Sequence, residues 1–262
     1  MTLTPERADE LAAALYDARR THVPIPPLSH TDPGLTLADG YLVQQGIVRR
    51  YLADGDRVVG YKLGLTSTPM QQMLGVDSPD FAPVMASHVH GDGAAVEAAA
   101  YIAPRLEAEI ALVLGSELAG PDCTPIDVVR ATEGVVPALE LVDSRVADWR
   151  ITLPDTVADM ASSGAIVLGG RTTPVADVDL RLIGLVFTRG GEVVATGAGA
   201  AALGNPAAAV AWLVRTLHPL GASLPAGSVV MTGALHAAVP IAPGETYRAE
   251  FDRLGSVTVR IV

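Results

Sequence analysis

Pro104-Arg105-Leu106-Glu107-Ala108-Glu109-Ile110-Ala111-Leu112-Val113-Leu114 is an apolar run with two glutamates one residue apart. Its hydrophobic content predicts a buried strand, and a strand sends alternate side chains to opposite faces. Glu107 and Glu109 therefore project to one side, about 7 Å apart along the chain. Two bare carboxylates that close repel, and at least one pKa rises unless a divalent ion or a basic partner neutralises them. A second run, Val135-Val136-Pro137-Ala138-Leu139-Glu140-Leu141-Val142, repeats the pattern with a single acid, Glu140. Three carboxylates from two strands would fill roughly half the octahedral shell of a hard cation, Mg²⁺ or Mn²⁺, leaving the rest for substrate and water. The competing reading is a half-exposed strand whose acids face solvent; for Glu107 and Glu109 alone the two readings balance, and Glu140 shifts the weight to metal.

The chain around these runs can bury a large core: it has 262 residues, 49% of them hydrophobic and 18% charged. Its net charge of −11 argues against nucleic acid or an anionic membrane as partner, and a carboxylate substrate would have to be drawn in by a local cation. Cys123 is the only cysteine, which excludes an internal disulfide and a cysteine-based zinc cluster and suits the cytosol. The first residues lack a basic segment followed by an apolar one, and no apolar run approaches membrane-spanning length. The expectation is an untargeted cytoplasmic protein.

Thr4-Pro5 supplies an N-cap and a first-turn proline for one helix. Thr36 and Asp39 form a capping box for a second, whose stripe runs through Leu42, Val43, Ile47, Val48, Tyr51 and Leu52. A boundary near Asp56 separates this helical region, 1–56, from a β-rich region, 57–262. Strands are predicted at 57–63, 105–114, 135–142, 165–169, 182–188, 192–196, 227–232, 246–252 and 256–262, with helices at 69–74, 125–133 and 206–217. This irregular alternation argues against a doubly wound sheet or a regular barrel, and for an α+β fold with a rolled, mainly antiparallel sheet.

Other polar residues have two readings each. Lys62, flanked by Gly60 and Gly64, either neutralises the acid cluster or is a surface lysine with its stem along apolar neighbours. Asp80, next to Phe81, is either a proton carrier with a raised pKa or an Asx-turn former. In Asp155-Thr156-Val157-Ala158-Asp159-Met160-Ala161-Ser162-Ser163-Gly164, Ser162 or Ser163 either hydrogen-bonds a substrate oxygen or serves a strand-entry turn. His88 and His90 share a strand face but lack a third soft ligand, and are read as surface residues.

Taken in order, Gly60-Tyr61-Lys62-Leu63-Gly64-Leu65-Thr66-Ser67, Ser78-Pro79-Asp80-Phe81, Pro104 to Ala111, Pro137 to Arg145, Asp155 to Asp159 and Thr232-Gly233-Ala234-Leu235 resemble the 2-keto-4-pentenoate hydratase family. That family belongs to the fumarylacetoacetate hydrolase superfamily. The resemblance implies a mixed β-roll, Mg²⁺ or Mn²⁺ on Glu107, Glu109 and Glu140, proton transfer by Lys62 and Asp80, and substrate contacts from Ser163 and Thr232. It implies a homo-oligomeric lyase that hydrates 2-hydroxypenta-2,4-dienoate, or a related 2-hydroxydienoate, to a 4-hydroxy-2-oxoacid in aromatic or steroid breakdown. Close relatives decarboxylate 2-oxohex-3-enedioate (4-oxalocrotonate) on the same plan. Three positions depart from the family pattern: Met160 in place of Asn, Ala82 in place of Gly, and Ser78 in place of Gln. The loss of an amide at Met160 would remove a supporting hydrogen bond or shift substrate preference. The alternatives are the decarboxylase, favoured by a cation at the distal end of the pocket, a C–C hydrolase of acylpyruvates, and a non-catalytic partner subunit.

Overall fold

The computed structural model describes residues 3–67, 71–72 and 75–262; the helix expected at 69–74 lies largely outside the described residues. The N-terminal helices begin where the caps dictate. Thr4 accepts the N–H of Arg7 at the head of α1 (Pro5–Thr21). After the short α2 (Leu28–Thr31), Thr36 and Asp39 close a reciprocal capping box on α3 (Leu37–Ala53). Asp39 also accepts the N–H of Leu3, tying the start of the chain to α3. A Cβ on Gly46 would lie 2.6 Å from Cβ of Ala12, so glycine lets α1 and α3 pack closely there. Their shared face buries Leu11, Leu15, Val43, Ile47 and Tyr51 against Met85 and Met160.

The first sheet comprises β1 (Val58–Gly64), β2 (Asp80–Met85), β3 (Val89–Gly91), β5 (Arg105–Leu114), β6 (Thr132–Val142), β7 (Ser163–Leu168), β10 (Val229–Met231) and β11 (Val239–Pro240). Its order is β2-β1-β10-β5-β6-β7-β3, with β11 also on β5. The second sheet is β4-β13-β12-β8-β9, from β4 (Ala94–Val96), β13 (Gly255–Ile261), β12 (Thr246–Phe251), β8 (Gly184–Arg189) and β9 (Glu192–Ala198). Pairing is antiparallel apart from β1/β10, β3/β7 and β4/β13, which gives the expected mixed, mainly antiparallel α+β fold. Leu106, Ala108, Ile110, Leu112 and Leu114 of β5 face a core shared with Tyr247, Phe251, Val257 and Val259 of the second sheet. Among the described residues, three more α-helices follow: α4 (Pro125–Ala131), α5 (Leu153–Ala158) and α6 (Pro206–Leu217). No helix among the described residues is long and apolar enough to cross a membrane.

Strands β2, β3, β4 and β11 and helices α2 and α5 are not among the elements expected from the sequence. Strand β2 lies at the edge of its sheet, where Pro83 can be accommodated without breaking a central ladder. Helix α5 starts with Pro154 in its first turn and a Thr152/Asp155 capping box.

Candidate metal centre and active site

The period-two rule brings the acids together. On β5, Glu107 and Glu109 share the face opposite the main core, and Glu140 on β6 is the register partner of Glu107. One carboxylate oxygen from each of the three lies within 4.8 Å of the others. Glu109 and Glu140 are wholly buried, and Glu107 lines a cavity of 470 Å³. Glu109 is aimed by a backbone donor: its Oε2 accepts the N–H of Gly233 at 2.8 Å. Gly233 has φ +104°, and a Cβ there would lie 1.9 Å from Thr66 Oγ1, so only glycine serves.

Lys62 comes from the middle of β1. Its Nζ lies 3.3 Å from Glu140 Oε1, an ion pair rather than an aligned hydrogen bond, and donates to the carbonyl of Ala161 at 2.9 Å. Asp80 faces Gly64 across the β1/β2 ladder; a Cβ on Gly64 would fall 2.2 Å from Asp80 Oδ1 and 3.4 Å from Lys62 Nζ. Glycine therefore lets Asp80 lie against the backbone beside the lysine.

Four carboxylates surround one ammonium, and each shifts the pKa of the others. Burial, then the charge of Glu140, raises Glu107 to about 7, with Lys62 opposing. Glu109 is pushed well up by burial, then Glu140 and Glu107. Burial raises Glu140 and Asp80 as well, with Lys62 opposing in each case. For Lys62, burial pulls downward, but Glu140, Asp80, Glu107 and Glu109 outweigh it and the pKa rises. Among the described residues, Glu109 Oε1, both carboxylate oxygens of Glu140 and Asp80 Oδ1 are buried without a hydrogen-bond partner. Unsatisfied buried acceptors are costly in a cluster that is already too negative. An oxygen-only donor set of this kind suits a hard divalent cation, which would bind the free oxygens and offset the charge.

The structure redistributes the remaining candidates. Ser162, not Ser163, lines the cavity, and its hydroxyl is 3.1 Å from that of Thr156. Ser163 turns its carbonyl to the guanidiniums of Arg19 and Arg145 on the helical side. Thr232 is wholly buried, does not line the cavity, and donates to the carbonyl of Ile110 at 2.8 Å; its part is to fix the neighbouring Gly233. Met160 packs among the N-terminal helices away from the cavity, so the departure from Asn removes no group from its lining. His88 and His90 are half-buried rather than surface residues; only His90 lies on β3, while His88 ends the preceding turn and meets the Tyr51 ring of α3 edge-on.

Several cavity residues carry weak sequence signals. Arg105 shares the face of Glu107, two residues away, and its guanidinium carbon lies 4.6 Å from the Trp149 ring centroid. Trp149 is anchored in turn by Nε1 donating to the carbonyl of Ala103, and Asp143 accepts the N–H groups of Ile102 and Ala103. The period-two rule could have found Arg105; Trp149 offers no local signal. His236 spends one ring nitrogen on the N–H of Ala108 and the other on the carbonyl of Ala237. Met160, Ala161 and Ser162 all adopt positive φ, which aims the Ala161 carbonyl at Lys62 at a conformational cost of roughly 1 kcal/mol per residue.

A rolled β-sheet that gathers three carboxylates, two of them wholly buried, with an ammonium and a further acid beside one cavity defines an enzyme class built on an oxygen-ligand cage. Comparison with known proteins narrows the class: the chain belongs to the fumarylacetoacetate hydrolase family, whose C-terminal domain matches residues 67–262. It is 44% identical over 255 residues to 2-keto-4-pentenoate hydratase of Paraburkholderia xenovorans (strain LB400), covering 97% of this chain and 95% of that protein. It is 41% identical over 261 residues to 4-oxalocrotonate decarboxylase of Pseudomonas sp. (strain CF600), covering 100% and 99%. The solved 4-oxalocrotonate decarboxylase from Pseudomonas putida G7, complexed with magnesium and adipate, superposes with a TM-score of 0.97 at 39% identity, covering 100% and 99%.

Proposed function

We propose that this chain is a divalent-metal-dependent lyase that adds water to 2-hydroxypenta-2,4-dienoate or a related 2-hydroxydienoate, giving a 4-hydroxy-2-oxoacid. The observation that carries the reading is the convergence of Glu107, Glu109 and Glu140, with unsatisfied oxygens, beside Lys62 and Asp80 on one cavity. Similarity to the Paraburkholderia hydratase supports it. Mg²⁺ or Mn²⁺ held by the three glutamates would act as a Lewis acid toward the carboxylate and 2-oxygen end of the substrate.

The chain's own residues then handle protons and position. Hydration requires a proton to leave the 2-hydroxyl and arrive at C5, after which water oxygen bonds to C4 and a proton arrives at C3. Asp80, with its pKa raised by burial and one carboxylate oxygen free, suits a proton carrier. Lys62 holds positive charge beside the cage and can pair with charge developing on the 2-oxygen. Thr66, Thr156 and Ser162 offer hydroxyls along the wall to orient the incoming water. Family resemblance further supports a cytoplasmic homo-oligomer.

The test is incubation with 2-hydroxypenta-2,4-dienoate and Mg²⁺, with and without chelator, following dienol absorbance and product mass. A product heavier by one water that forms only with free metal is the expected result; no turnover with metal bound would overturn the reading. One observation favours a second reading, decarboxylation of 2-oxohex-3-enedioate: Arg105 places a cation on the cavity wall suited to a distal carboxylate. Carbon dioxide release from that diacid, without hydration of the dienoate, would establish it instead. Acylpyruvate hydrolysis is disfavoured because the cavity histidine, His236, has both nitrogens committed to the backbone.

A further inference from the structure

A second cavity, of 330 Å³, shares no lining residue with the one that carries Lys62. Two guanidiniums and three imidazoles line it: Arg19 and Arg20 of α1, His22 just past the helix, His88 and His90. Tyr16, Tyr51 and Tyr101 add an aromatic wall, and among the described residues no carboxylate lines it. The acids bonded to its residues, Asp54 and Asp56, accept from the hydroxyls of Tyr16 and Ser87. Among the described residues, neither Arg19 nor Arg20 has a carboxylate within ion-pair range.

Arg19 and Arg145 both donate to the carbonyl of Ser163, so two like charges converge there. Asp159 neutralises Arg145, whereas Arg19 has only the carbonyls of Ser163 and Gly164. Burial pulls the pKa of Arg19 down, and a half-buried guanidinium held only by neutral acceptors is one for which desolvation makes a counter-ion valuable. The neighbouring imidazole reports the same field: burial, Arg19 and Arg145 push His88 down to about 3.

We infer that this cavity is an oxyanion site, which takes a small carboxylate or phosphoryl ligand on Arg19 and Arg20, with the imidazoles of His22 and His90 completing the contact. The planar guanidinium fork matches either oxyanion. The chain's net charge of −11 repels anions in general, so binding here answers to the local cations. The cavity has the size of a small-metabolite site, roughly 300 Å³ and upward.

The test is calorimetric titration of the Mg²⁺-loaded full chain with inorganic phosphate and, separately, acetate. The wild type, Arg19→Gln, Arg20→Gln and Glu109→Gln are compared. At least one anion should bind the wild type, and Arg20→Gln should weaken it about 10-fold. Arg20 is exposed, so this variant keeps the experiment decisive even if Arg19→Gln fails to fold. Binding of phosphate alone identifies a phosphoryl ligand, and binding of acetate a carboxylate. Glu109→Gln should leave anion binding unchanged; its loss there would assign the anion to the glutamate cage and overturn the proposal. Absence of binding by both anions at tens of millimolar, undiminished binding in Arg20→Gln, or an acidic side chain of a second copy filling the cavity would also overturn it.

Discussion

Glu109 and Glu140 of the glutamate cage and the Arg145–Asp159 pair are all buried, yet they treat their polar atoms in opposite ways. Arg145 donates from its backbone N–H and from Nε to the carboxylate of Asp159, and from its terminal nitrogens to the carbonyls of Ser163 and Asp159. Each of the three guanidinium nitrogens donates, and Asp159 balances the charge. In the cage, by contrast, Glu109 Oε1 and both oxygens of Glu140 have no hydrogen-bond partner. Burial of charge by itself does not mark a functional site; burial of charge that the fold leaves unsatisfied does.

The comparison can be broken or sharpened by substitution. Glu107→Ala should lower turnover by about 10³-fold or more through loss of a cage ligand. The metal-free variant should melt no lower than the metal-free wild type, because removing a carboxylate relieves repulsion. Unchanged activity would sink the metal assignment. Lys62→Ala should cost about 10²–10³-fold in turnover. Mg²⁺ binding should survive, and calorimetry beside steady-state kinetics separates the two effects. Asp159→Ala should behave in the opposite way, costing about 3–5 kcal/mol of folding stability by leaving Arg145 buried without its partner. Denaturant unfolding with and without Mg²⁺ reads this, and added metal should not restore the loss.

Met160→Asn, which restores the residue the family pattern favours, tests whether that position belongs to the cage or to the helical layer. Burial of an amide among the helices should cost about 1–3 kcal/mol in melting experiments, with turnover per folded molecule unchanged. A gain in turnover would return Met160 to the site. An effect confined to acid pH concerns His88, whose folded pKa is lowered from 6.5 to about 3 by burial, Arg19 and Arg145. The native state therefore binds fewer protons at this residue than the unfolded chain, and the associated stability is lost as pH falls below 6.5 toward 3. His88→Gln should flatten the acid limb of the stability profile by at most about 1.4 kcal/mol per pH unit. Parallel profiles for wild type and variant would contradict the assignment.

The cage was legible because strand alternation is local. Two acids at i and i+2 must share a face whatever the strand packs against, and Glu140 repeats the signature in the partner strand. Glycines beside Lys62 likewise marked a place where backbone and side chain meet closely, as Gly64 with Asp80 shows. Strand β2 was hidden because Pro83 argues against a strand only when the strand is central, and edge position is a property of the assembled sheet.

By itself, then, the sequence determined the helix caps, the alternating faces of β5 and the family to which the chain belongs. The tertiary structure alone decided that Ser162 rather than Ser163 faces the cavity, that Thr232 supports Gly233 from within the core, and that Met160 points into the helical layer. It alone revealed Arg105 over Trp149 and the uncompensated Arg19. The reason is the range of the forces: caps and strand periodicity are set within a few residues, whereas the side of a turn that meets the cavity depends on surfaces contributed by distant parts of the chain.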